Sequence, residues 1–220
     1  MRFSVLFAIA GCNVPVGLSF TVGPVQSEVD TADLSIPPAL TDGATVLQVP
    51  CPPAECPSDP AQGFESQCVG GVCDPTADVT VDAGVVDLSD YQDLSSLGDA
   101  LTGVEIEAVH YSVDENTITV DLPATDVYWA PESVTAFDDP GVHRVGTVPA
   151  TPAGATPSGD MDSDAAGQAA LSDYLLGQST SGLRFRLFAH TTVDLVPGQA
   201  LPTGRLAMSV SMDVRLESGI

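Results

Sequence analysis

The sequence predicts an all-β, mainly antiparallel fold, a β-sandwich with one or two short helices and a disulfide-linked excursion. Three observations lead there. Long segments alternate apolar and polar residues with the period of a half-buried strand. Such segments follow one another without a regular strand–helix rhythm, which disfavours an α/β architecture. Finally, no fixed-period internal repeat is evident that would suggest a solenoid or propeller. The 220 residues suffice for one such domain, and 44% of them are hydrophobic, enough to build a core.

Val14, Val16, Leu18, Phe20 and Val22 alternate with small or polar residues and predict a first strand. Residues 24–43, with Pro24, Pro37 and Pro38, read as an extended connection, and Ala44 to Val49 as a short strand. Val79 to Leu88 reads as a strand or hairpin. Asp90 to Leu101 reads as a helix, because Tyr91, Leu94, Leu97 and Leu101 recur at three- and four-residue spacing. Val104 to Val113, Thr117 to Leu122 and Thr125 to Trp129 predict a meander, with Asp114-Glu115-Asn116 and Pro123 at its turns.

Val142 to Val148 predicts a further strand, and Pro149 to Gly159 a surface loop. Asp164 to Leu176 reads as a helix with apolar Ala165, Ala169, Leu171, Leu175 and Leu176, closed by Gly177. Two long strands finish the chain. In the first, Leu183, Phe185, Leu187 and Ala189 alternate with Arg184, Arg186, Phe188 and His190. In the second, Leu206, Met208, Val210, Met212, Val214 and Leu216 form one apolar face.

The four cysteines Cys51, Cys56, Cys68 and Cys73 form two pairs with equal spacing, in a stretch whose Pro52, Pro53, Pro57, Pro60 and glycines argue against a regular helix or central strand. They read as two disulfides. Three pairings are open, and spacing does not choose among them. Loop-closure entropy leans toward Cys51 with Cys68 and Cys56 with Cys73, which closes larger loops. The rival is a four-thiolate zinc site, disfavoured in an oxidising compartment. Residues 68–73 resemble the C-x-x-G-x-C unit of small extracellular cysteine-rich modules.

The chain opens MRFSVLFAIAGC: one Arg, an apolar run and a small residue before Cys12. This resembles a bacterial lipoprotein signal peptide, with Ile9, Ala10, Gly11 and Cys12 at the positions of the lipobox. The resemblance implies cleavage after Gly11, lipidation of Cys12 and anchoring in the bacterial cell envelope, outer-membrane, periplasmic or surface-facing. It implies a signal peptide over 1–11 and a mature sandwich domain over 12–220 with the excursion at 51–73. The alternative division is a cysteine-rich module over 46–77 and a sandwich over 78–220. An apolar run this short cannot span a bilayer, which needs about 20 residues.

Thirty acidic residues face six basic ones, all arginine, for a net charge of −24. That excludes a nucleic-acid footprint and a polybasic membrane patch. The positive mean hydropathy places the charge on the surface of a folded body instead of a disordered chain.

No contiguous catalytic motif is present, so no catalytic residue is assigned and no enzyme activity is expected. His110, His143 and His190 lack metal-ligand spacing and read as surface or structural histidines. No cofactor is expected, with calcium the one candidate: Asp160, Asp162 and Asp164 alternate as hard-cation ligands do, although Ala165 and Leu171 stand where an EF-hand has Gly and Glu. The competing reading is a solvated loop with Asp164 or Ser163 capping the helix. Asp138 and Asp139 read as a turn, and Trp129 as a core plug or one side of a binding surface.

The expected partners are the membrane, through the lipid, and another envelope protein. The leading expectation is a structural or partner-binding module. An envelope carrier for an apolar ligand is the alternative, and a hydrolase with a non-contiguous site stands third. An apolar cavity favours the carrier; a filled core favours the structural module.

Overall fold

The computed structural model describes residues 16–34, 36–52, 55–94, 101–178 and 182–218. Two antiparallel sheets face each other. The first contains β1 (Val16–Asp30), β10 (Arg205–Ser218), β4 (Leu101–Asn116) and β7 (Ser158–Asp160), in that order across the sheet. The second contains β2 (Phe64–Val69), β3 (Val72–Asp87), β9 (Arg184–Asp194), β5 (Thr125–Pro131), β6 (His143–Val148) and β8 (Asp162–Ser163). One helix, α1 (Ala165–Leu176), packs against β4, β5 and β6.

Alternation builds the core. On β10, Met208, Val210, Met212, Val214 and Leu216 are all buried and meet Phe185 and Leu187 of β9 in one apolar cluster. Each such side chain contributes about 1.5–3 kcal/mol when removed from water. A smaller cluster, Leu40, Val46, Phe64, Ala77 and Leu195, lies beside the cysteine segment.

Several elements differ from the sequence reading. β1 does not stop at Pro24: a bulge between Val22 and Val25 absorbs the proline, and pairing with β10 resumes to Asp30. Its predicted start at Val14 lies outside the described residues. Ala44 to Val49 is not a strand, and Thr45 and Val46 make only isolated bridges to Ala200 and Thr41. Of the segment that reads as a helix, Asp90 to Leu101, the first residue ends a 3-10 turn, Leu88–Asp90, residues 91–94 are not helical and Leu101 begins β4, while residues 95–100 lie outside the described residues. The predicted polar turn at Asp114-Glu115-Asn116 belongs to β4, because an outward strand face tolerates acids. Asp114 sits at a register shift opposite β10, and Asn116 ends the strand with its amide donating to the carbonyls of Pro152 and Ala155.

Thr117 to Leu122 is no ladder strand. It carries the chain from one sheet to the other, so β4 and β5 are not meander neighbours. The loop at 149–159 contributes Ser158 and Gly159 to β7.

The backbone of the cysteine segment also departs from expectation, while its two disulfides form as expected. Cys68 and Cys73 sit directly opposite each other on the hairpin β2–β3. Gly70 and Gly71 form its two-residue turn with φ of 62° and 89°, the left-handed pair a type I′ turn requires. Pro75 is tolerated inside β3 because its carbonyl accepts from Leu195 N–H. The N–H that proline lacks falls on that same side, where the β9 pairing ends, and not in the β2 ladder. The bonds are Cys51–Cys68 and Cys56–Cys73, with Cα separations of 5.9 and 5.4 Å. All four thiols are consumed, and the proximity of the Cys51, Cys56 and Cys73 sulfurs arises from these two bridges lying side by side. Residue 78, the boundary of the alternative division, falls in the middle of β3.

The helix at 165–176 forms as the sequence predicts, but with a different buried stripe. Gly167, Leu171 and Leu175 are buried, whereas Ala165, Ala169 and Leu176 are exposed. At about 100° per residue, positions four apart stay within one stripe, and those three fall more than 100° away from Leu171.

Candidate functional site

Toward the end of the sandwich where β1 and β9 finish and β10 starts, the two sheets are not sealed. Val29 of β1 and Leu206 of β10 face Ala77 and Val79 of β3, Thr125 of β5 and Thr191 and Val193 of β9 across a cleft. The connecting segments add Leu34 and Ile36, then Ile118, Val120 and Leu122, then Leu195 and Pro202. The empty space, counted out through the mouth, is about 660 Å³. Its enclosed part is narrow, a cavity of about 60 Å³. A second space of about 330 Å³, sharing Val29, Val79 and Leu206, continues toward Val81, Ala189 and Met208.

The main cleft has no charged lining residue. Its floor, including Phe64, Ala77, Ile118 and Leu195, is buried, while Val29, Val79, Val120, Val193 and Leu206 stay half-buried. The strand residues among them lie on inward faces set by period-two alternation, and still lack a full complement of neighbours. Ile118, Val120 and Leu122 show why the sequence reading placed a strand here: the alternation is real, but it points apolar residues into the cleft from a crossover segment.

A second polar feature crosses the outer face of the four-stranded sheet. The Thr21 hydroxyl donates to Asp213 at 2.7 Å. Asp213 meets His110 Nε2 at 3.1 Å, and His110 Nδ1 meets Asp160 at 2.6 Å. Only an imidazolium donates from both nitrogens. The hydrogen bonds to Asp213 and Asp160 hold the His110 pKa above its ordinary value. The Thr21 and His110 hydrogen bonds hold Asp213 below the usual carboxylate range.

The raised His110 pKa gives stability that is complete below pH ~6.5 and lost as pH rises through the folded value. The depressed Asp213 pKa gives stability lost only as pH falls below the ordinary carboxylate range. The melting-temperature gap between wild type and His110→Gln is therefore expected to be largest near pH 5–6 and to close on the alkaline side. Because the groups are exposed, the difference is about 1 kcal/mol or less. A gap that widens between pH 7 and 9 would reverse this assignment.

The other two histidines pack on aromatic rings. His143 stacks on Trp129 with ring centroids 5.2 Å apart. His190 stacks on Phe137 at 4.8 Å and shares a 3.0 Å hydrogen bond with the Thr80 hydroxyl. Trp129 is a core plug, 2% exposed, with its indole N–H donating to the Gly167 carbonyl. Asp139 closes a turn by accepting from Gly141 N–H.

The calcium candidates are not brought together. Asp160 on β7 is engaged by His110, and Asp162 lies exposed on β8. Asp164 caps α1 by accepting from Ala166 and Gly167 N–H and binds Arg144 at 2.9 Å. These backbone donors and the Arg144 guanidinium hold its carboxyl below the usual range. Among the described residues, only the cysteine sulfurs gather within 4.8 Å in a group of three. An extended chain sends the aspartates apart, and Asp164 is already committed to the helix.

No family model, curated protein or solved structure matches this chain. Cys12 lies outside the described residues, and no described helix is long and apolar enough to cross a membrane.

Proposed function

We propose that this protein is a non-enzymatic binding protein of the bacterial cell envelope, tethered through lipidated Cys12, whose sandwich takes a slender apolar ligand in its open end. The observation that carries this reading is the uncharged cleft between the sheets, with inward-facing valines and leucines left half-buried. A purely structural module would be expected to fill that space, so the carrier reading is preferred. Its narrowness suits a slender ligand, an alkyl chain or a flat aromatic amine. The two disulfides accord with an oxidising, extracytoplasmic compartment.

Binding is tested with the uncharged fluorophore N-phenyl-1-naphthylamine, whose emission rises in apolar surroundings. Wild type is expected to enhance it saturably. Val193→Phe and Val120→Phe, which fill the cleft from half-buried positions, are expected to abolish the enhancement while leaving the melting temperature unchanged or raised. Equal binding by both filled variants, or none by wild type, would remove the cleft as a ligand site.

Tethering is tested separately. Cys12→Ala is expected to move the expressed protein from the membrane to the soluble fraction and to lose acyl label, because acyl chains supply about 0.8 kcal/mol per buried methylene. A membrane-bound Ala variant would refute the anchor.

A further inference from the structure

We propose that the outer edge of β1 is a docking surface for a second copy of this chain, joined strand to strand about Ser19. β1 is the end strand of the four-stranded sheet. Its described ladder is the one with β10, and no other described backbone group bonds to residues 16–22. An open strand edge is a template for another strand, and folded proteins blunt such edges with charges, prolines or bulges. Here the blunting begins late. The bulge and Pro24 interrupt the strand only after Val22, and no residue from Val16 to Ser27 is charged.

The same flank is incompletely sealed in both layers. Leu18 and Phe20 pack on the main core from the inward face of β1, yet both stay half-buried. In β3, which β1 touches across the sandwich, Val81 and Ala83 are half-buried as well. The ladder of β2 on β3 ends at Ala77, so no strand flanks them on that side among the described residues.

Symmetry and charge name the occupant. A two-fold axis at Ser19 sets residues 16–22 of one copy antiparallel to residues 22–16 of the other, and so uses the whole of the strand before the bulge. Leu18 then lies directly opposite Phe20 of the second copy, and Phe20 opposite its Leu18, aromatic–aliphatic pairs on the inward face. Ser19 meets Ser19 on the outward face. Each copy carries a net charge of −24, and a neutral edge is where two such molecules can approach closely. In this arrangement Val16 of each copy lies near the centre of the dimer, while the clefts beside Val29 open at its far ends. The shared ladder is short beside the roughly 20–30 residues a side of a standard interface, so pairing is expected to be weak and reversible.

The test is cross-linking of the full chain carrying Cys12→Ala, in which the remaining cysteines are all bridged. Directly opposed Cα atoms of an antiparallel pair lie about 4.5–5.5 Å apart, within the range that a disulfide spans. Ser19→Cys is therefore expected to give a covalent dimer on mild oxidation. Gly17→Cys and Thr21→Cys, each alone, are expected to stay monomeric, whereas a mixture of the two cross-links, because position 17 faces position 21 across the axis. Sedimentation of the Cys12→Ala chain without an added cysteine is expected to show a monomer–dimer equilibrium. Near 1 M salt, where the Debye length is about 3 Å and self-repulsion is screened, it should shift roughly five-fold toward dimer.

Cross-linking by all three variants alike, or by none, overturns this pairing. A monomer at every protein and salt concentration does so too, and leaves the edge to a strand of another protein.

Discussion

Gly167→Ala is expected to destabilise the fold by about 3–5 kcal/mol, a drop of roughly 6–20 °C in melting temperature for a chain of this size. Helix α1 lies so close on β6 that a Cβ at position 167 would stand 1.5 Å from the Arg144 carbonyl oxygen. That is a covalent distance, and the obstacle is backbone on both sides, so no rotamer change relieves it. Either the helix lifts from the sheet or β6 moves. Lifting also withdraws the Gly167 carbonyl from the Trp129 indole, now 2.9 Å away, and unpacks Leu171 and Leu175, both fully buried. Gly17→Ala is the control, since nothing lies within 4 Å of its Cβ position. It should be neutral or slightly stabilising. Thermal melts of both variants decide the matter, and equal melting temperatures would refute close docking of the helix.

Opening the disulfides is the second large effect. Each joins residues 17 apart, for which loop closure contributes about 3 kcal/mol. The loops overlap, so the second bridge adds less than the first. The replacements Cys51→Ser, Cys56→Ser, Cys68→Ser and Cys73→Ser together are expected to release the smaller cluster around Leu40, Val46 and Phe64, while the main core stays folded. Limited proteolysis should then cut between about residues 41 and 75 before elsewhere, whereas the oxidised protein resists. Cleavage first in β9 or β10 would show that the bridges do not hold this region.

The sequence was most legible where one periodicity ran uninterrupted with one face buried. β10 is such a case: its six inward residues, Leu206 to Leu216, and its length follow from alternation alone. Capping chemistry was equally readable, since Asp164 serves the start of α1 as expected. Misreadings arose where tertiary partners override local signals. Pro24 looked like a strand stop until the bulge against β10 accommodates it. Asp114-Glu115-Asn116 looked like a turn because acidic residues on an outward strand face carry the same local signature. The cleft was not legible, because its walls come from segments scattered from Val29 to Leu206 and converge only through sheet pairing. The one local signal, alternating Ile118, Val120 and Leu122, has the same pattern as a ladder strand.

The register of the outermost pair in the four-stranded sheet fixes where the ends of the described chain leave the fold. Val16 lies opposite Ser218, and Asp30 opposite Arg205, so both ends of the described chain emerge together at the pole remote from the cleft. β1 is 15 residues long, and at about 3.3 Å per residue it spans roughly 45 Å. A lipid on Cys12, four residues before Val16 in sequence, would thus tether the sandwich from the pole opposite the cleft. The mouth would then lie about a strand's length from the tether.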